Sequence, residues 1–156
     1  MHEKIFHMKL VILALLFMVS AVADIYDFKL NSIEGDVIDF SEYKGKNLLI
    51  VNVASKCGFT PQYTDLEKLH ETWGDKVVIL AFPANNFGGQ EPGTNSEIAE
   101  FCQQKFGVKF QMFEKISVKG EDQHDLYKWL KEKTHEEPTW NFCKYLVGRD
   151  GRVLGF

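Results

Sequence analysis

Two long apolar runs constrain the fold of this chain more than any other feature. Residues 48–54 read LLIVNVA and residues 77–82 read VVILAF, and both runs are rich in β-branched side chains. Such runs are typical of strands that are covered on both faces of a sheet. Between them, residues 64–73 carry apolar side chains at helical spacing. A buried strand, a helix and a second buried strand predict a right-handed parallel crossover.

Weaker patterns on either side of this crossover complete a single α/β domain. In chain order they predict an opening hairpin (25–30 and 37–40), a helix capped by Asn95 or Ser96, an extended segment (109–118), a helix (125–133) and a closing hairpin (142–147 and 152–156). Antiparallel hairpins added to a parallel crossover make a mixed sheet. We therefore predict a thioredoxin-like fold, with a central mixed β-sheet, helices on both faces and an N-terminal β-hairpin.

The first residues have the pattern of a secretory signal peptide. Two lysines precede the apolar run LVILALLFMV (10–19), and the small-residue pattern Ala-Val-Ala (21–23) follows it. The run is shorter than the ~20 residues that a membrane-spanning helix needs. We predict a signal peptide over residues 1–23 and a mature domain over residues 24–156 that is secreted, periplasmic or in a secretory lumen. An uncleaved N-terminal anchor is the alternative.

Net charge and cysteine count narrow the function. The net charge of −4, without a basic cluster, argues against a nucleic-acid partner. The chain has three cysteines, Cys57, Cys102 and Cys143. An odd number is not typical of a structural disulfide framework, even though export would allow disulfides to persist. The count predicts one redox pair and one spare thiol.

Cys57 is the strongest candidate for a reactive residue. It follows the first apolar run, in the loop ASKCGFT (54–60), and the predicted helix begins shortly after it. Sites of open α/β sheets lie at the carboxyl ends of strands, and a helix N-terminus favours the reactive thiolate. Thr60 stands where a Cys-x-x-Cys pair would have its second cysteine, which disfavours simple disulfide exchange. An inert buried cysteine is the alternative interpretation.

Three long motifs carry a specific resemblance. They are NVASKCGFTPQY (52–63), FPANNFGGQEPG (82–93) and WNFCKYLV (140–147). In order and spacing they resemble the glutathione peroxidase family, and the resemblance covers essentially everything after residue 24. It implies a thiol peroxidase that reduces hydrogen peroxide and organic or lipid hydroperoxides, with no metal and no organic cofactor.

The resemblance also implies the catalytic residues. The tetrad of the family maps onto Cys57, Gln90, Trp140 and Asn141. Amide and indole N–H groups are neutral donors, so they hold a thiolate and orient a hydroperoxide without adding another titrating charge. Taken singly, Gln90 would be a surface residue of a loop, Trp140 a core residue and Asn141 a turn former. Their joint pattern favours catalysis.

Cys102 resembles the resolving cysteine of the thioredoxin-dependent, two-cysteine branch of the family. It would condense with a sulfenic acid on Cys57, after partial unwinding of its helix if the two thiols start too far apart. The implied reductant is a thioredoxin-like protein, with glutathione as the alternative. Cys102 as a small packing residue is the competing interpretation. Cys143 is interpreted as structural, with a minor chance of pairing with Cys57.

The chain also departs from the family pattern. Ala84 stands where the family often has cysteine, and Gln111 stands where it often has proline. The region between Lys119 and Trp140 lacks the long insertion that forms an assembly loop in tetrameric relatives. The resemblance therefore implies a monomer with an open site that admits bulky hydroperoxides.

Two other classes of function stay open. A thioredoxin-fold thiol-disulfide oxidoreductase or redox sensor would use the same Cys57 and Cys102, but it would not need Gln90, Trp140 and Asn141. A non-catalytic secreted binding module would keep the fold and lose a member of the tetrad.

Overall fold

The computed structural model describes residues 24–156. The predicted signal peptide, residues 1–23, lies outside the described residues. Within the described part of the chain, no helix is both long enough and apolar enough to cross a membrane.

A five-stranded mixed sheet forms the centre of the domain. Its strands are β3 (Asn47–Val53), β4 (Val77–Pro83), β5 (Gln111–Met112), β6 (Lys144–Val147) and β7 (Val153–Gly155), in the spatial order β5-β4-β3-β6-β7. The strands β3, β4 and β5 run parallel, whereas β6 pairs antiparallel with both β3 and β7. The two apolar runs are thus neighbouring central strands, and the predicted parallel crossover and mixed sheet are confirmed.

Helices cover both faces of this sheet. They are α1 (Gln62–Trp73), α2 (Asn95–Phe106) and α3 (Asp125–Thr134). Apolar side chains of α1 and α2 pack with one face of the sheet, and those of α3 pack with the other. Strands β1 (Lys29–Asn31) and β2 (Val37–Asp39) form the predicted N-terminal hairpin. The architecture is the predicted thioredoxin-like α/β fold.

The first strand of the hairpin is shorter than predicted. Residues Ile25–Asp27 form a 3-10 helix, and β1 begins only at Lys29. The N–H of Asp27 donates to the carbonyl of Asp24, and the Asp27 carboxylate accepts from the Asp24 N–H at 2.8 Å. These two bonds close a turn at the start of the domain, which alternating hydrophobicity does not reveal.

Three further boundaries differ from the prediction. Thr94 caps α2 instead of Asn95 or Ser96, because its side chain accepts from the N–H of Glu97 in a capping box. Only Gln111 and Met112 of the extended segment are paired as a strand. The closing hairpin starts at Lys144 because Phe142 has a positive φ of 66°, which interrupts the extended backbone.

Candidate active site

Cys57 lies in the turn between β3 and α1, at the carboxyl end of the central strand. Its side chain is almost buried, and the backbone N–H of Phe59 donates to its sulfur at 3.3 Å. An N–H group aimed at the sulfur stabilises negative charge there, in addition to the partial positive charge of the helix N-terminus. Cys57 thus stays the candidate nucleophile of this site.

Thr60 fixes the conformation of this turn. Its buried hydroxyl accepts from the N–H of Cys57 at 3.0 Å and donates to the carbonyl of Ala54 at 2.8 Å. Loss of these two bonds would cost about 1–3 kcal/mol. In the sequence, Thr60 is notable only because it stands where a Cys-x-x-Cys pair would have its second cysteine. A hydroxyl three residues after the candidate nucleophile is the signal that could have revealed this role.

Gln90 and Asn141 are brought into direct contact, although they are distant in sequence. The side-chain N–H of Asn141 donates to the side-chain carbonyl of Gln90 at 2.8 Å. The backbone carbonyl of Gln90 accepts from the N–H of Lys56, the residue before Cys57, at 3.0 Å. Three loops thus meet beside the end of β3, and two of the predicted tetrad residues form one amide pair.

Trp140 lies at the solvent-exposed rim of this region. Its side chain is 42% exposed and its ring packs against Phe87, with ring centres 5.7 Å apart. Phe59, next to the Cys57 turn, is 52% exposed. The structure therefore does not support a core-packing role for Trp140. Trp140, the residue before Asn141, and Phe59, two residues after Cys57, instead present aromatic surface to solvent.

Glu91 is a buried carboxylate that the sequence analysis did not single out. The residue is 1% exposed, and this burial raises the pKa of its carboxyl. The ammonium of Lys115 donates to the backbone carbonyls of Glu91 and Gly93, at 3.2 and 2.6 Å. These bonds hold the loop that follows Gln90 next to the start of α2.

Cys102 lies on α2 and is 1% exposed. Burial raises the pKa of its thiol to about 11, although the nearby hydroxyl of Tyr63 partly offsets this effect. Cys57 and Cys102 belong to the same apolar cluster on one face of the sheet, and both are free thiols in this structure. At neutral pH the buried Cys102 is therefore a protonated and weakly reactive thiol.

The raised pKa of Cys102 gives a stability prediction. Because the folded chain holds this proton more tightly than the unfolded chain, with a reference pKa of 9.0, the thiol's contribution to stability is lost as the pH rises from about 9 to about 11. The loss would approach 3 kcal/mol, at about 1.4 kcal/mol per pKa unit. Urea midpoints across this range should fall more steeply for the parent than for Cys102→Ala. If the urea midpoints of the two proteins fell equally with pH, the raised pKa of Cys102 would be contradicted.

Cys143 has the same strand parity as Tyr145, two residues later, whose ring packs in the apolar cluster on the α3 side of the sheet. Cys57 and Cys102 pack on the α1 and α2 side. This placement agrees with the structural interpretation of Cys143 and disfavours its pairing with Cys57.

Comparisons with known proteins point in one direction. The glutathione peroxidase family matches residues 25–131. A glutathione peroxidase of Lactococcus lactis subsp. cremoris is 48% identical over 134 residues, which cover 83% of this chain and 85% of that protein. A hydroperoxy fatty acid reductase of Synechocystis sp. is 43% identical over 141 residues, which cover 83% of both. The crystal structure of Trgpx in apo form is 41% identical, with a TM-score of 0.67 over 85% of this chain and 83% of that chain.

Proposed function

Because the chain belongs to the glutathione peroxidase family, we propose that the thiolate of Cys57 is the group with which it reduces hydroperoxides. The protein is a thiol peroxidase. The observation that carries the assignment to Cys57 is the Phe59 N–H aimed at its sulfur, in a turn whose preceding residue, Lys56, bonds to the backbone of Gln90 in the Gln90–Asn141 amide pair.

The chemistry balances without any cofactor. The Cys57 thiolate attacks one oxygen of the hydroperoxide, the O–O bond breaks, and the departing oxygen takes up a proton and leaves as water or an alcohol. The sulfur, oxidised by two electrons, is left as a sulfenic acid. Gln90, Asn141 and Trp140 carry the N–H groups that would orient the peroxide and stabilise the charge on the departing oxygen.

We extend the substrate range to organic and lipid hydroperoxides. The exposed rings of Trp140 and Phe59 offer apolar surface next to the nucleophile, where an acyl chain would lie. The name of the Synechocystis relative, a hydroperoxy fatty acid reductase, supports the same class of substrate.

Cys102 is the proposed resolving thiol. Its condensation with the Cys57 sulfenic acid would form a disulfide and release water. We expect partial unwinding of α2 in each cycle if the two thiols start too far apart to bond, because Cys102 is buried on that helix. A thioredoxin-like protein would then reduce the disulfide, with glutathione as the alternative reductant. We also propose that the enzyme acts as a monomer and is exported through residues 1–23.

A peroxide-consumption assay tests this cycle. The purified protein would be supplied with thioredoxin and its reductase, or with glutathione and its reductase, in parallel with Cys102→Ser and Cys143→Ser. We expect thioredoxin-driven turnover to fall by about tenfold or more in Cys102→Ser, because no internal disulfide forms for thioredoxin to reduce, and to be unchanged in Cys143→Ser.

The other outcomes are equally informative. Full thioredoxin-driven turnover in Cys102→Ser would remove the resolving role. Glutathione-driven turnover that survives the loss of Cys102 would define a one-cysteine enzyme. No peroxide consumption with either reductant would leave a thiol-disulfide oxidoreductase as the better assignment.

A further inference from the structure

Asn52 is a polar residue in the central strand of the sheet. It lies in β3, in a run of otherwise apolar side chains, and it is completely buried. Its side-chain oxygen finds no hydrogen-bond partner among residues 24–156. An apolar residue would suit a central strand better, because a buried polar atom without a partner is unfavourable. The position therefore needs an explanation beyond the stability of the sheet.

The hydrogen bonds of Asn52 all go to one corner of the chain. Its backbone carbonyl accepts from the N–H of Phe142 at 2.6 Å, and its backbone N–H donates to the carbonyl of Cys143 at 3.3 Å. Its side-chain N–H donates to the carbonyl of Trp140 at 2.9 Å. One residue thus binds the peptide groups on both sides of Asn141.

This corner is strained and would not hold its shape alone. Phe142 has a φ of 66°, a left-handed conformation that is unfavourable for a bulky side chain. The regular pairing of β3 with β6 ends at Val51 and Lys144, just before the corner. Lys144 adds one bond, from its ammonium to the Phe142 carbonyl at 2.7 Å. The bond from the Asn52 side chain to the Trp140 carbonyl holds the backbone beyond the last paired residues of β3 and β6.

We propose that Asn52 is a positioning residue of the peroxidase site, which sets the direction of Trp140 and Asn141 by holding their backbone. This inference rests on the proposed function of those two residues. When the bond to the Trp140 carbonyl is lost, the corner relaxes, the Asn141 amide moves relative to Gln90, and the Cys57 sulfur reacts more slowly with peroxide.

The test measures the first oxidation of Cys57 by hydrogen peroxide, without any reductant, in the full protein. Asn52→Leu has a similar shape but no donor, and we expect its second-order rate constant to fall by about 10- to 100-fold. Asn47→Leu is the matched control, because Asn47 lies at the other end of β3 and its side chain also donates to a backbone carbonyl, that of Lys76, at 3.2 Å. Leu48→Ala, a buried apolar truncation in the same strand, controls for lost stability.

A second variant gives a readout that a purely structural role would not move. In Asn52→Asp, a protonated carboxyl donates to the Trp140 carbonyl, whereas an ionised carboxylate repels it. Because burial raises the pKa of a carboxyl above its ordinary value of about 3.9, the rate constant relative to the parent should recover as the pH is lowered and the new carboxyl becomes protonated. The pH dependence of Asn52→Asp still tests the proposal if Asn52→Leu does not fold.

The outcomes separate this inference from the proposed function. If hydrogen peroxide does not oxidise Cys57 of the parent protein, the proposed function fails. If the parent reacts and folded Asn52→Leu keeps its rate within twofold, or if Asn52→Asp reacts as fast as the parent at a pH where its new carboxyl is measured to be ionised, the positioning role is wrong. An equal loss of rate in Leu48→Ala at equal stability would also overturn it.

Discussion

Substitution of Cys57 by serine should abolish peroxide reduction while leaving the fold intact. We expect the rate of hydrogen peroxide consumption to fall by at least about 1,000-fold, because a hydroxyl at neutral pH is not ionised and is a poor nucleophile. The bonds that shape the turn, between Thr60 and the backbone of Cys57, do not involve the sulfur. Serine also differs little in size, so we expect a change in unfolding free energy within about 1 kcal/mol.

The measurement is peroxide consumption together with the mass of the trapped sulfenic acid. A reagent specific for sulfenic acids should label Cys57 in Cys102→Ser, where no resolving thiol removes the sulfenic acid, and also when Cys143→Ser is added to that variant. It should label nothing in Cys57→Ser. Cys143→Ser is the matched control because Cys143 has the strand parity of Tyr145, which packs on the α3 side of the sheet, whereas Cys57 packs on the α1 and α2 side. A Cys57→Ser protein that kept a tenth of the parental rate would exclude Cys57 as the nucleophile.

The centre of the fold was predictable because it depends on long and simple patterns. The two apolar runs became β3 and β4, parallel and adjacent, with α1 between them in the chain. Boundaries were harder because single side chains decide them. Thr94 and not Asn95 caps α2, because Thr94 is followed three residues later by Glu97, whose carboxylate accepts from the Thr94 N–H and completes a capping box. Asn95 instead accepts from the N–H of Lys115.

The candidate site was predictable only as a set of residues. The motifs named Gln90 and Asn141, but nothing in their spacing indicated that the two amides bond directly. The supporting residues were not found, because Thr60 and Asn52 act through bonds to backbone groups that become neighbours only after folding. The positive φ of Phe142 was hidden in the same way, since phenylalanine carries no signal for a left-handed residue.

The contact between Gln90 and Asn141 leads to the second large prediction. One N–H of Asn141 donates to the side-chain carbonyl of Gln90. The two N–H donors of the Gln90 side chain take no part in this bond. The side-chain oxygen of Asn141 is buried and has no partner within residues 24–156, so the contact with Gln90 is the bond that orients the Asn141 amide. We expect Gln90→Ala and Asn141→Ala each to lower the second-order rate of Cys57 oxidation by about 100-fold.

Because the two amides act as one unit, their effects should not multiply. The double variant should be only a few-fold slower than either single variant, whereas two independent donors would give a loss of about 10,000-fold. Gln104→Ala is the control, since Gln104 also makes a side-chain bond, to Glu100 at 2.8 Å, but on the exposed face of α2. Multiplicative losses in the double-variant cycle would mean that Gln90 and Asn141 hold the peroxide separately. Rates close to that of the parent in both single variants would remove the amide pair from the mechanism.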